Sequence, residues 1–373
     1  MSNWFIIHFQ PLERYPPAVN FIRFVASQPD YYKDLNVVTV HPGKGKKTYE
    51  FSDVITHRLG TIKKRGKIQR ILFYLLFNIK TLLLLLKYRP AVILYYESLS
   101  GFAPLWYKKW INKKARIFIH YHEYTSPEEY ASGMLLSRLI HKGERAMYNK
   151  ATWVSHTNSK RMELFLHDIG KDQPQATFIL PNYPPLHWIN SASVVKRAAD
   201  KRIGFVQVGA LSLNSMFTKE MAEFVAGHPE ECYWHIYSDN HDKDAKEFLA
   251  NFKVPNIEFK GGVPYDELPA VLAKYDIGVI LYKGVIDNHV YSEPNKFFEY
   301  LICGLNVWYP KEIKGMYRFE QPDNKPWVRR VDFAHLQLPS LLDGYRKEKL
   351  LTQEYTAESV YISLWRKLKN IQN

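Results

Sequence analysis

Only two cysteines, Cys232 and Cys303, occur in 373 residues. Two thiols cannot build a disulfide framework or, unaided, a structural zinc site, and a reducing compartment such as the cytoplasm is the simplest reading. The amino terminus, MSNWFIIHFQPLERYPP, has no basic leader ahead of its short apolar run and no small-residue cleavage site. It therefore reads as a first strand and not as a secretion signal. The longest apolar run, Ile71 to Leu86, falls short of the roughly 20 residues a bilayer core needs. Asn78 and Lys80 interrupt it, so it reads as a buried helix. Low-complexity segments and fixed-period repeats are absent.

Known phosphate and metal signatures are missing too. The segment HPGKGKKTYE lacks the two glycines separated by four residues that a P-loop requires, and reads as a basic turn. No strand is followed by Gly-x-Gly-x-x-Gly, the dinucleotide fingerprint. Asp242 and Asp244 precede a helical pattern, which makes one of them a helix cap before a cation ligand. His120 and His122 share one face of a strand, yet no third ligand is evident nearby, which argues against zinc.

Acidic residues are scarce relative to basic ones: 37 Asp and Glu against 51 Lys and Arg, a formal charge of +14 and a pI near 9.4. Such a balance admits polyanionic partners. The positive charge is interspersed and no aromatic RNA-stacking module accompanies it, so nucleic acid is not expected. Lys63, Lys64, Arg65, Lys67 and Arg70 precede the apolar run, and Lys87 and Arg89 follow it. That arrangement suits a peripheral position against anionic headgroups, on the inner face of a membrane.

The chain that remains is that of a folded α/β protein. Its hydrophobic fraction of 46% and aromatic fraction of 15% disfavour disorder, and its length implies two domains. Short apolar runs alternate with helical patterns, the signature of parallel sheets covered by helices. In the first half WFIIHF, LNVVTVH, AVILYYE, ARIFIHY, ATWVSHT and ATFILPN read as strands. Helices are expected at 18–27, 67–87, 133–149 and 159–167, the last capped by Thr157 or Asn158. The polar, proline-containing stretch 184–201 reads as a linker. The same grammar then restarts with IGFVQVGAL, YWHIYSD, NIEFKGG, DIGVILYK and NVWYP as strands. Helices are expected at 218–226, 244–251, 265–274 and 293–303. An amphipathic helix over 357–371 is expected to pack back on the first domain.

One stretch poses a chemical question. In SEPNKFFEYLICGLNVWYP, helical spacing places Ser292, Asn295, Lys296 and Glu299 on one side, and Phe297, Phe298, Leu301 and Ile302 on the buried side. Ser292 is expected as amino-terminal cap, Pro294 in the first turn and Gly304 at the carboxyl end. Following a strand, this helix should start at the carboxyl edge of a parallel sheet, where free amides and the helix dipole attract an anion. Lys296 adds positive charge, and the Glu299 carboxylate could accept two hydrogen bonds from a vicinal diol. A diphosphate followed by a ribose would satisfy this face.

EPNKFFEYLICGLNVWY resembles the nucleotide-binding signature of GT-B glycosyltransferases of the group 1, family 4-like kind, Pro-x-Lys-x-x-Glu-Tyr-x-x-x-Gly before a strand. FVQVGAL resembles the strand and glycine that open the second lobe, and FKGGVPYDELPAVLAKYDIGVILYK the segment that holds the base. FIHYHEY resembles the first-lobe strand whose end faces the donor sugar, and ILPNYPP the lobe junction. The match runs from Ala91 to Pro310. It implies two Rossmann-like α/β domains facing each other across a cleft, an acceptor-binding domain over 1–185 and a nucleotide-sugar domain over 200–350. It assigns Glu299 to the ribose, Tyr291, Ser292, Asn295 and Lys296 to the diphosphate region, and Gly262 and Val263, after Lys260, to the base. Gly209 gives room for phosphate and Lys219 binds it. His122 and Glu123 fall near the reacting centre, and Glu13 and Arg14 on a loop that meets the acceptor.

The resemblance implies transfer of a hexosyl group from a nucleoside-diphosphate sugar to a saccharide or lipid-linked acceptor, with no metal or other cofactor. Polysaccharide biosynthesis is the expected setting. Two departures leave the stereochemistry open: Tyr291 stands where retaining members carry the first Glu of Glu-x7-Glu, and GALSLNSMFTK has Lys219 without the usual Arg. A nucleotide-sugar epimerase or hydrolase of this fold, or a basic binding protein without chemistry, are the alternatives.

Overall fold

The alternating pattern resolves into two parallel sheets, one in each of two units, Met1–Pro181 and Asn182–Asn373. The computed structural model describes residues 4–28, 35–43, 47–61, 66–133, 135–195, 200–239, 242–321, 326–338 and 351–370. Lys63, Lys64 and Arg65, residues 44–46 of the basic turn and residues 196–199 of the expected linker lie outside them.

The first unit holds β1 (Trp4–His8), β2 (Leu35–His41), β3 (Val54–Thr61), β4 (Val92–Tyr96), β5 (Arg116–Tyr121), β6 (Trp153–His156) and β7 (Thr177–Ile179). Their spatial order is β3-β2-β1-β4-β5-β6-β7, all parallel. Helices α1 (Pro16–Ala26), α2 (Lys67–Tyr88), α3 (Phe102–Trp110), α4 (Pro127–Ser132), α5 (Leu135–Arg145) and α6 (Ser159–Ile169) connect them. Asn158 caps α6 by accepting from the Arg161 amide at 2.8 Å. Every residue of β1 and β4 is buried, because helices cover a parallel sheet on both faces. Phe5, Ile7, Ile93 and Ile117 pack to one side, while Phe118 packs with Trp4 and Trp153. The expectation of a buried helix at Ile71–Leu86 is corrected: only Tyr74, Phe77, Asn78, Thr81 and Leu85 of α2 are buried, and its outer side is exposed.

The second unit holds β8 (Ile203–Val208), β9 (Cys232–Tyr237), β10 (Ile257–Gly261), β11 (Ile277–Val279), β12 (Asn306–Pro310) and β13 (Val328–Val331), in the order β10-β9-β8-β11-β12-β13. Its helices are α7 (His187–Ser193), α8 (Thr218–Ala226), α9 (Lys243–Asn251), α10 (Leu268–Leu272), α11 (Asp287–Val290), α12 (Asn295–Ile302) and α13 (Ala357–Asn370). Successive residues serve opposite faces of the sheet: Phe205, Trp234, Ile277 and Trp308 enter one core, and Val206, Val307 and Tyr309 the other. Asp242 is the α9 cap, accepting from the Ala245 amide at 2.7 Å.

The linker expectation changes here, and two strands join those expected. The stretch read as linker contains α7, whose Trp188 is fully buried and lies 4.8 Å from the Tyr265 ring. The carboxyl-terminal helix begins with Ala357 N donating to Pro184 O at 2.9 Å and Glu358 accepting from Leu186 N. Strands β3 and β13 went unread because they are edge strands with mixed sequences, VITHRLGT and VRRV, and half-exposed patterns.

Both sheets share one topology. Strand order reverses between β1 and β4 in the first and between β8 and β11 in the second. In open parallel sheets the crevice at that reversal, beyond the carboxyl ends of the strands, is where ligands bind.

Candidate functional site

The second unit's reversal point is built from the end of β8, the start of α12 and the loop between β11 and α12. Helix α12 seats directly on β11, because Gly278 has no side chain and a Cβ there would overlap the Tyr300 ring. The Tyr300 hydroxyl accepts from Val208 N at 3.2 Å, which fixes the helix to the last residue of β8. Its far end closes in a Schellman turn: Leu305 N donates to Tyr300 O at 3.0 Å and Gly304 N to Leu301 O at 2.9 Å, with Gly304 at φ +78° as expected.

The amino end differs from the sequence reading in one respect. Pro294, not Ser292, occupies the cap position, and its ring fixes the extended backbone that leads into the helix. Ser292 is buried and donates to His289 O at 2.8 Å, so its hydroxyl closes the preceding α11 turn. Tyr291 ends that turn, its amide donating to Asp287 O. Asn295 and Lys296 are half-buried and open α12, where backbone amides lack partners in the helix itself.

Lys296 lies across Gly209. The glycine has φ +97°, and a Cβ built on it would stand 2.5 Å from Lys296 Cε and 2.9 Å from Nζ. The backbone at this position favours glycine, and a side chain there would also displace the end of Lys296. The Lys296 ammonium donates to the Tyr282 hydroxyl at 3.4 Å and lies 5.8 Å from that ring's centre, and Tyr282 stacks on His289 at 5.0 Å. Burial works against the Lys296 charge, but the Tyr282 hydroxyl and Glu299 outweigh it and hold its pKa above the ordinary value. One turn deeper, Glu299 is 6% exposed; burial pushes its pKa up to about 7, against the pull of Lys296. An anion would thus meet the Lys296 ammonium and free amides, and a diol would meet a desolvated carboxyl group.

The remaining expected residues scatter. Gly262 leaves space that the Asp239 carboxylate fills, and Val263 packs against the hydrophobic core beside it. Both follow β10, whose end is in register with Tyr237; the Tyr237 carbonyl in turn accepts from Gly209 N at 2.8 Å. The carboxyl edges of β8, β9 and β10 therefore form one rim. Lys260 pairs with Glu258. Lys219 does not join Lys296: it is 59% exposed on α8 and pairs with Glu223 at 3.7 Å. Glu293, buried, pairs with Arg318 at 2.9 Å.

Sequence reasoning missed Tyr282, Lys283 and Gln207. The loop after β8 runs antiparallel to the end of β11's extension: Phe217 N donates to Leu281 O at 2.7 Å, Lys283 N donates to Ser215 O at 2.8 Å, and Met216 bridges Tyr282. Lys283 is held by Glu220 at 3.2 Å. Gln207, buried at the end of β8, donates to Ala210 O, while its Oε1 has no partner among the described residues. The signal for Tyr282 was the YK that ends DIGVILYK, read only as strand.

The first unit's reversal point carries a second polar site. His8 ends β1, Glu97 follows β4, and His122 and Glu123 follow β5. His122 stacks on Tyr96 at 5.2 Å and lies 5.4 Å from Tyr15; its amide donates to Glu97 Oε1 at 2.8 Å, and its carbonyl accepts from Arg161 at 2.7 Å. Glu123 is exposed, and with His8, Gln10, Tyr15, Tyr96 and Glu97 lines a cavity of about 400 Å³. Glu97, unread in the sequence, sits at φ +60°, ψ +151°, a strained backbone for a residue with a side chain. Burial, then the charge of Glu123, raise its pKa to about 8, against the amides of His122 and Glu123. Burial lowers His8 to about 4 and His120 to about 3, so both are neutral at pH 7. His120 shares a proton with Ser155 at 2.9 Å.

Glu13, expected on a loop that meets the acceptor, has partners within its own unit. Its carboxylate accepts from Arg58 at 2.8 Å and from Tyr49 N at 3.0 Å, tying the β1–α1 loop to β3. Arg14 is exposed at the end of that loop's short 3-10 turn.

No protein-family profile matches the chain, and no curated protein matches it in sequence. Solved structures do match it over its length. Sucrose-phosphate synthase of Thermosynechococcus elongatus is 12% identical, with 99% of each chain covered and a TM-score of 0.69. Anabaena HepE in complex with UDP-glucose is 10% identical, covering 98% of this chain and 99% of that one, with a TM-score of 0.69. An α,α-trehalose-phosphate synthase of Burkholderia xenovorans, in complex with glucose-6-phosphate, is 9% identical over 99% and 100% of the chains, with a TM-score of 0.68. At these identities the likeness defines the fold: the chain has the two-domain α/β architecture of the GT-B glycosyltransferases.

Proposed function

We propose that this protein is a glycosyltransferase that moves a hexosyl group from a nucleoside-diphosphate sugar to a hydroxyl of a saccharide or lipid-linked saccharide, in the synthesis of a surface polysaccharide or glycoconjugate. The observation that carries the reading is Lys296 lying over Gly209 with Glu299 one turn deeper, at the reversal point of the second sheet. The C1–oxygen bond to the diphosphate breaks and a bond from C1 to the acceptor oxygen forms, while the hydroxyl proton leaves to a base. Charge develops on the departing diphosphate, and Lys296 with the α12 amides is placed to stabilise it without a metal ion. Glu299 accepts from the ribose hydroxyls.

The first unit's cavity is the acceptor side of this reading. In this reading Glu123, exposed on the cavity wall, or His122, whose amide and carbonyl are both hydrogen-bonded, receives the proton. The matched structures support this substrate class: that of HepE holds UDP-glucose and that of the trehalose-phosphate synthase holds glucose-6-phosphate. The thiols of Cys232 and Cys303 are buried and not joined in a disulfide, which suits the cytoplasm.

Thermal melts with UDP, GDP and ADP test the donor site, since a ligand bound only by the native state raises the melting temperature. One of the three should raise it in the wild type and fail to do so in Lys296→Ala. No shift with any of them refutes the reading. Release of nucleoside diphosphate that depends on an added saccharide acceptor separates transfer from hydrolysis.

A further inference from the structure

Helix α2 is apolar on both sides. Tyr74, Phe77, Thr81 and Leu85 face the core, yet Ile68, Leu72, Leu76, Ile79, Leu83 and Leu86 are between 38% and 74% exposed. Their spacing of three and four residues keeps the six in one stripe, roughly 27 Å long at 1.5 Å per residue. The outer side of a surface helix ordinarily carries charge, and an aliphatic patch of this extent on a folded chain marks an interaction site.

The neighbouring helix extends the pattern. Ala103 N of α3 donates to Asn78 Oδ1 of α2 at 3.2 Å, and α3 exposes Phe102, Trp106 and Trp110 at four-residue intervals. The Lys109 ammonium lies 4.9 Å from the Trp110 ring centre. Along the chain the two helices and their flanks are basic: residues 62–122 hold thirteen Lys and Arg and a single carboxylate, Glu97, which lines the first unit's cavity. On a helical projection Lys80 and Lys87 fall together along one flank of the stripe.

We propose that α2 and α3 form a docking face for a bilayer that contains anionic phospholipid. The aliphatic stripe enters the boundary between headgroups and acyl chains, the tryptophans lie at that boundary, and Lys80, Lys87 and Lys109 meet the phosphates. Among the described residues α2 is the helix long and apolar enough to cross a membrane. Its packed inner side, where Asn78 and Thr81 are buried and hydrogen-bonded, keeps it lying along the surface instead. An aliphatic and tryptophan face flanked by Lys80, Lys87 and Lys109 fits an extended anionic sheet better than a protein partner, whose rim mixes both signs. The inference stands apart from the sugar chemistry and does not need it.

Sedimentation of the full chain with vesicles tests it. Vesicles of phosphatidylcholine with a quarter phosphatidylglycerol should carry the protein down, phosphatidylcholine alone should do so at least tenfold less well, and 0.5 M salt should weaken binding. The double variant Leu76→Glu, Leu83→Glu should lose binding by at least tenfold and Lys80→Glu, Lys87→Glu severalfold, both with an unchanged melting temperature because the altered side chains are exposed. A spin-labelled lipid should quench wild-type fluorescence more than that of Trp106→Phe, Trp110→Phe, which checks the face without a charge change. Equal binding to the two vesicle types, or unaltered binding by the glutamate variant, overturns the proposal. So does a dimer in light scattering that the glutamate variant dissociates, with no vesicle binding, since the stripe would then belong to a second copy.

Discussion

Replacing Glu299 by glutamine separates the residue's contribution to binding from its effect on stability. Burial raises the folded-state pKa of Glu299 from an ordinary 4.5 to about 7. A carboxyl whose pKa rises on folding weakens the native state once the unfolded chain ionises, so the penalty is absent below pH 4.5 and grows until the pH passes 7. At 1.36 kcal/mol per pKa unit its full size is about 3 kcal/mol. Glutamine resembles the protonated group, so Glu299→Gln should match the wild type at pH 4.5 and exceed it by about 3 kcal/mol at pH 8, in urea denaturation of the second unit's transition. The same change removes a charge-assisted acceptor from the ribose, worth about 1.5–3 kcal/mol, and should weaken nucleoside-diphosphate binding by roughly ten- to a hundredfold. Greater stability with poorer binding is the combination expected of a side chain kept for its ligand. A variant no more stable than the wild type at pH 8 would show that the Glu299 carboxylate is not desolvated, and the argument for its role would fail.

Lys296→Met should leave the fold intact and lower nucleoside-diphosphate affinity by about ten- to a hundredfold, as measured by calorimetry. Gly209→Ala, at φ +97° and against Lys296 Cε, should cost about 1–3 kcal/mol in thermal melts and weaken the same ligand; unchanged values would mean that the turn relaxes freely. Glu97→Ala strands the His122 amide and should cost about 1–3 kcal/mol at pH 7. Glu97→Gln should fall within about 1 kcal/mol of the wild type there, because Glu97 is protonated at that pH. Glu13→Ala should destabilise the protein by about 1–3 kcal/mol through the lost Arg58 and Tyr49 bonds, yet leave the KM for acceptor unchanged.

The sequence made the central strands and α12 legible for one reason: both carry their signal locally. LNVVTVH and NVWYP are short, β-branched and aromatic-rich runs whose bounds match β2 and β12, and the Lys296–Glu299 spacing survives any helical geometry. What failed depended on distant neighbours. Ser292 has the right chemistry for a cap, but Pro294 sets the helix start and leaves the serine to α11. Lys219 has a plausible position, but its own helix supplies a carboxylate one turn on. Glu13 is bonded to Arg58, 45 residues away, a partner that no local window displays. Glu97 went unnoticed because its interest lies in burial and backbone angle, neither of which a sequence window displays. Helix α2 was misread because a sixteen-residue apolar run fits a core as well as a surface, and only the packing reveals that its second side is open.

The strap between residues 215–217 and 281–283 couples two loops that would otherwise fluctuate separately. One leads away from Gly209 and the other carries Tyr282 toward Lys296, so the proposed donor side is organised before anything arrives. A ligand there has little disorder to remove, and its intrinsic affinity is correspondingly less diluted by ordering entropy. Amide hydrogen exchange should find Phe217 and Lys283 slow in the empty protein and slowed little further by nucleotide.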